Sequence, residues 1–300
     1  MKRNVTLWFL LGYALLAAFV NRADAARNYP PQIEGATEVV YKSVDDVDLK
    51  LWMFAPEGAD REALPAMLFF FGGGWTSGSP EQFVHQAKYL SARGMVGIVV
   101  DYRVKSRHGV QAVSCVEDAW DALRFIKHKA SELGVDPDRV GVGGGSAGGH
   151  LAACLGTIYA SEPDAPDALA LFNPATVLAP IEWDLSAFPR LQSQLDQANE
   201  MIETRQPELE QRLGVPPAEL SPFNHVEPNT PPTVIFHGTE DRTTPYLSAV
   251  LFEKRLQAAQ VEVYLMTYKG AGHGFFNQEP YRSQTTQQLD DFLESLGWLR

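Results

Sequence analysis

The sequence predicts an α/β fold: a mostly parallel central sheet with helices on both faces. Three observations predict it. Apolar runs of strand length alternate with longer segments of helical spacing. Two of these runs, residues 65–71 and 95–101, are almost continuously apolar, as strands buried on both faces must be. The residues able to do chemistry follow directly after such runs, and parallel sheets gather function at the carboxyl ends of their strands.

Residues 26–35 contain prolines and read as an extended lead-in. Residues 37–43 and 47–54 alternate polar and apolar side chains, which predicts two antiparallel strands around the turn Asp45-Asp46. The buried run 65–71 ends in Gly72-Gly73-Gly74-Trp75. Residues 82–94 have helical spacing and stop on glycine; 95–101 is the next buried strand, and a polar loop follows over 103–109. Residues 111–133 form a long amphipathic helix with Val116, Ala119, Leu123 and Ile126 inward and Gly134 as its stop. Asp136-Pro137-Asp138 turns into a strand ending at Val140-Gly141-Val142, and 147–160 is again helical. After a short strand at 169–172 the texture changes. Residues 173–232 are rich in Pro, Glu and Gln, too long for a structureless loop, and predict a mostly helical lid insertion over about 174–231. Within it, 191–206 is one helix and 217–220 starts another. The chain returns to the sheet at 233–236, then predicts a helix at 245–259, a strand at 261–268 and a last helix at 283–299 with Ser283 as its N-cap. No repeat or linker divides residues 26–300, which predict a single domain.

Hydrophobic residues make up 45% and charged residues 21%, enough for a large core and too apolar for disorder. The net charge of −12 is dispersed and argues against nucleic acid and anionic membrane surfaces as partners. Residues 1–25 read as a secretory signal peptide: Lys2 and Arg3 are basic, residues 7–20 are apolar, and Ala23-Asp24-Ala25 fits the cleavage pattern. The apolar run is short for a membrane span, which needs about 20 residues. Cleavage predicts a secreted or periplasmic protein with no stable membrane association. Removing Lys2, Arg3, Arg22 and Asp24 takes the charge to −14. Two cysteines occur, Cys115 and Cys154; export permits a disulfide between them, while the apolar face shared by Leu151, Cys154, Leu155 and Ile158 suits a buried thiol.

The chain is organised around Gly144-Gly145-Ser146-Ala147-Gly148, a G-x-S-x-G pattern between strand and helix. A sharp turn there holds the Ser146 hydroxyl proud of the sheet, needs glycine at 144 and 148, and sets the Ala147 amide at a helix N-terminus. A serine hydroxyl needs a base within reach and a carboxylate to orient that base. His273, in Gly272-His273-Gly274 after a strand, is the candidate base. Asp241, in His237-Gly238-Thr239-Glu240-Asp241, is the candidate carboxylate, with Glu240 as its neighbour and competitor. Phe71-Gly72-Gly73-Gly74-Trp75 offers backbone amides after an earlier strand, so Gly73, Gly74 and Ala147 are the candidate oxyanion donors. Trp75, Trp183, Phe188, Phe223, Tyr246 and Phe276 are candidates to line a substrate pocket, and His150 reads as a packing residue. No cluster has metal-ligand spacing, and no phosphate-binding glycine loop occurs.

The segments FGGGW, DYR, GGSAGGHLA, HGTEDRTTP and GAGHGF together resemble the α/β-hydrolase esterases, in particular the hormone-sensitive-lipase-like branch with its bacterial feruloyl and acetyl esterase-like proteins. The resemblance spans about residues 36–299 outside the insertion. It implies a Ser146-Asp241-His273 triad, an oxyanion hole of Gly73, Gly74 and Ala147, and no cofactor. The family usually has histidine before its three glycines; here Phe71 stands there and must hold the loop by packing. The expectation is a secreted serine esterase acting on short acyl, acetyl or feruloyl, esters of carbohydrates or small molecules. A peptidase of the same fold and a catalytically silent binding protein are the alternatives.

Overall fold

The computed structural model describes residues 29–58, 63–183, 186 and 189–299; the predicted signal peptide and Phe188 lie outside them. Eight strands form one sheet among the described residues: β1 (Thr37–Val44), β2 (Val47–Phe54), β3 (Leu64–Phe70), β4 (Val96–Val100), β5 (Val135–Gly145), β6 (Ala168–Phe172), β7 (Thr233–Gly238) and β8 (Val263–Tyr268). Their order is β1-β2-β4-β3-β5-β6-β7-β8. β2 pairs antiparallel with β1 and β4, and every other neighbouring pair is parallel. At the β1–β2 turn Asp45 and Asp46 take φ of 49° and 61°, the left-handed pair that a two-residue hairpin needs.

The helices are α1 (Val84–Ala92), α2 (Lys105–His108), α3 (Ala112–His128), α4 (Ala130–Leu133), α5 (Ala147–Thr157), α6 (Pro189–Leu213), α7 (Tyr246–Ala258) and α8 (Tyr281–Ser295). Strand side chains alternate between two cores. Ala66, Leu68 and Phe70 of β3 join α3, α5 and α7 on one face; Met67 and Phe69 join α1 and α8 on the other. The parallel strands therefore read as unbroken apolar runs, because both faces are covered. Among the described residues no helix is long and apolar enough to cross a membrane.

Several predicted elements differ. The polar loop expected over 103–109 contains α2, closed by Gly109 in the left-handed conformation, and the turn expected at Asp136-Pro137-Asp138 lies within β5. The helix expected over 111–133 breaks at Lys129, whose φ of −100° and ψ of 12° leave the helical region. Hydrogen bonds run on across the break through Lys129 N–H to Phe125 and Leu133 N–H to Lys129, and Gly134 closes α4 in the left-handed conformation. Helix α6 does not stop at Gln206 but runs through Pro207 to Leu213. Proline leaves one carbonyl, that of Glu203, without its helical donor; Glu203 is exposed, so water can serve it, while Leu195 and Leu213 anchor the helix inward. Residues 217–220 form a short 3-10 turn followed by another at Pro222–His225, since Pro222 prevents a helix from continuing. Ser283 is no N-cap: α8 starts at Tyr281, and the Ser283 amide donates to the Glu279 carboxylate at 3.2 Å.

Candidate active site

The sheet places the candidate residues at the ends of three strands on one half of the sheet, with β6 between β5 and β7. β5 delivers Ser146, β7 leads to Asp241, and β8 leads to His273. Ser146 sits at φ 53° and ψ −115°, an unfavourable conformation for a residue with a Cβ. It is held by its amide donating to the Phe172 carbonyl at 2.9 Å and by its carbonyl accepting from the His150 amide at 2.9 Å. Gly144 and Gly148 are forced by crowding. A Cβ on Gly148 would lie 2.0 Å from the Phe70 carbonyl oxygen, and one on Gly144 would lie 2.4 Å from the same atom.

His273 Nε2 lies 2.9 Å from Ser146 Oγ, and His273 Nδ1 lies 2.8 Å from Asp241 Oδ2. Asp241 is buried and its lone pairs are taken. Oδ1 accepts the amides of Thr243 and Thr244 at 2.8 and 2.9 Å, and Oδ2 also accepts the Thr244 hydroxyl at 3.0 Å. Burial pushes this carboxyl up, but the hydrogen bond and charge of His273 and the two amides outweigh it and hold Asp241 below its ordinary value. An ionised Asp241 fixes the imidazole proton on Nδ1, which leaves the Nε2 lone pair facing the serine hydroxyl. Glu240 is exposed and takes no part.

The loop after β3 runs beside this turn. Gly73 has φ of 132°, Gly74 of 61° and Trp75 of 59°. A Cβ on Gly73 would lie 2.0 Å from the Ser77 carbonyl oxygen. Gln82 Oε1 accepts the Gly72 amide at 2.6 Å. Among the described residues the amides of Gly73, Gly74 and Ala147 have no hydrogen-bond acceptor. Phe71 holds its end by packing. Its ring stacks on Tyr102 with centroids 4.1 Å apart, and the Tyr102 hydroxyl donates to the Phe71 carbonyl at 2.6 Å.

The aromatic candidates do not gather here. Phe276 is 1% exposed and packs with Phe83 and Phe172 beneath the serine turn, a place with no surface to offer a substrate. Trp75 is buried against His150. Trp183 pairs with Phe223 at the wall of a cavity of about 310 Å³ that holds no triad residue. Tyr246 packs its ring on His237 and shares a hydrogen bond with Thr267. Cys115 and Cys154 are both buried free thiols; Cys115 Sγ donates to the Arg103 carbonyl at 3.1 Å. Sequence reasoning missed Asn173, whose Nδ2 lies 3.3 Å from His273 Nδ1, and Thr244 beside Asp241. Asn173 follows β6 directly, and that position at a strand end was the signal available.

Comparison with known proteins gives this geometry a family. The BD-FAE family model matches residues 51–256. The chain belongs to the BD-FAE family. A dienelactone hydrolase family model also matches the C-terminal part of this BD-FAE chain, residues 215–299. Among solved structures, the butyrate-bound Est2 esterase of the planctomycete Thermogutta terrifontis is 40% identical, with a TM-score of 0.79 over 90% of this chain and 98% of its own. The fold is thus that of the α/β-hydrolase esterases. Esterase LipC of Mycobacterium tuberculosis is 29% identical over 219 residues, 70% of this BD-FAE chain and 53% of LipC. Carboxylesterase NlhH of the same organism is 38% identical over 97 residues, 30% of its length. The chain therefore spans about half or less of these two curated relatives.

Proposed function

We propose that this protein is an exported serine carboxylic-ester hydrolase acting on short acyl esters through Ser146, His273 and Asp241. The observation that carries the reading is the strained Ser146 with its hydroxyl 2.9 Å from His273 Nε2. His273 takes the proton as Ser146 Oγ bonds to the ester carbonyl carbon. Asp241 steadies the imidazolium. The amides of Gly73, Gly74 and Ala147 receive the oxyanion, and Ala147 adds the positive end of α5. The C–O bond breaks and the alcohol leaves with the proton from His273. Water then attacks the acyl-enzyme, gives its proton to His273, and the serine is restored as the acid departs.

Short acyl groups are supported by the Est2 relatives, whose structures hold butyrate and propionate. Acetyl or feruloyl groups on polysaccharides are the finer form of the proposal. Ser146→Ala is expected to abolish turnover of p-nitrophenyl butyrate and labelling by a fluorophosphonate; near-wild-type turnover by this variant would refute the assignment. A panel of acyl chain lengths beside acetylated and feruloylated oligosaccharides then fixes the substrate. Export rests on residues 1–25, and N-terminal sequencing of the secreted or periplasmic protein should begin near Ala26.

A further inference from the structure

Trp75 closes the glycine loop whose amides are assigned to the oxyanion, and it does so at positive φ, where a residue of its bulk is strained. Such a conformation persists only where its surroundings hold it. Part of that hold is local: the Lys105 amide of α2 donates to the Trp75 carbonyl at 3.0 Å, and the Thr76 hydroxyl to the Gly74 carbonyl at 3.1 Å. Two further holds lead to the insertion, one directly and one through His150 of α5. From the last turn of α6, Arg212 Nη2 donates to the Gly74 carbonyl at 2.8 Å, and its guanidinium lies 5.0 Å from the centre of the Trp75 ring. The approach is close enough that a Cβ on Gly74 would stand 2.6 Å from Nη2. Among the described residues no carboxylate pairs with Arg212, so its contacts in a chain of net charge −12 are this carbonyl and this aromatic face.

On the other side, Trp75 Nε1 donates to His150 Nδ1 at 3.1 Å. His150 must then carry its proton on Nε2, which donates to the Leu220 carbonyl of the insertion at 2.7 Å. Burial lowers the His150 imidazole to about 4, so the neutral form that this relay requires is the one present at neutral pH. His150 is thus more than a packing residue: it joins the helix that follows the nucleophile to the loop and to the insertion.

We propose that Arg212 and His150 are positioning residues which make the insertion part of the frame of the oxyanion hole, so that the amides of Gly73 and Gly74 are aimed while the insertion is docked. The inference rests on the esterase reading and deepens it. It also accounts for the loop's order with phenylalanine at position 71, since its far end is clamped through Gly74 and Trp75.

The test measures kcat and KM for p-nitrophenyl butyrate per fluorophosphonate-titrated site in Arg212→Ala, Arg212→Met, Arg212→Lys and Trp75→Phe. Inhibition by butylboronic acid, which forms a tetrahedral adduct, is measured beside it. A misaimed donor is expected to lower kcat about 10- to 100-fold in Arg212→Ala and Arg212→Met. Boronate affinity should weaken in parallel, with KM within about threefold and recovery in Arg212→Lys, which keeps a donor and a charge. Trp75→Phe keeps the ring, loses the donor to His150 and should fall between. The methionine variant preserves bulk should the alanine variant fail to fold. A kcat per titrated site within twofold of wild type in the Arg212 variants, or a loss carried wholly by KM, overturns the proposal. Absence of ester turnover by the wild-type protein would instead sink the esterase reading.

Discussion

Ser146 occupies its strained turn because the residues around it have no side chains to spare. The Phe70 carbonyl approaches both Gly144 and Gly148, so the loop after β3 and the helix after β5 press on the same few ångströms. Gly148→Ala must push its new methyl against backbone rather than against a movable side chain. Overpacking of this kind costs about 1–3 kcal/mol or more. The variant is therefore expected to melt several degrees lower and to lose most of its activity, measured by thermal unfolding beside turnover per folded molecule. A wild-type melting temperature with full turnover would show that the turn has slack which this packing denies.

Among the elements, those held by local pattern were legible and those held by distant partners were not. Strands β1 and β2 match their predicted spans to within a residue, because alternation and the Asp45-Asp46 turn are written into adjacent positions. Ser146, Asp241 and His273 could be picked out because each follows a strand and the sheet does the rest. The helix expected over 191–206 stops one residue before Pro207, yet α6, anchored at Leu195 and Leu213, carries the one missing bond on its exposed side. The bond from Arg212 to Gly74 joins residues 138 positions apart and leaves no local trace in the sequence. Phe276 was hard to place for a related reason: it carries the same side chain whether it lines a pocket or fills the core beneath Ser146, and only packing against Phe83 and Phe172 distinguishes the two.

Across the whole molecule, Asp101 joins three distant parts of the chain. Its carboxylate accepts from Tyr29 and from the Tyr102 amide, its carbonyl accepts the Tyr41 hydroxyl at 2.8 Å, and Arg107 reaches the Tyr29 hydroxyl at 2.8 Å and the Gly78 carbonyl at 2.9 Å. Burial raises this carboxyl from 3.8 to about 6, against the hydrogen bonds and the Arg107 charge that favour ionisation. A group whose folded value is raised contributes stability that is fully present below its unfolded value and lost as pH rises through the folded one. From pH 4 to 7 this carboxyl should therefore remove up to about 3 kcal/mol of stability. Asp101→Asn stays neutral, so its unfolding free energy relative to wild type is expected to climb by up to that amount over the same range. Urea denaturation at the two pH values checks it, and a constant difference would mean that Asp101 titrates alike in both states.

The two sulfurs have a practical consequence. Burial, helped by the Asp118 charge, pushes the Cys115 thiol up to about 12, and burial alone raises Cys154 well above its ordinary value. Neither forms appreciable thiolate while the fold is closed, so an oxidising medium finds little to attack. Alkylation by a small maleimide then becomes a clock for global opening: both sites should be taken up together and at the rate of unfolding, and the native protein can be stored without reductant.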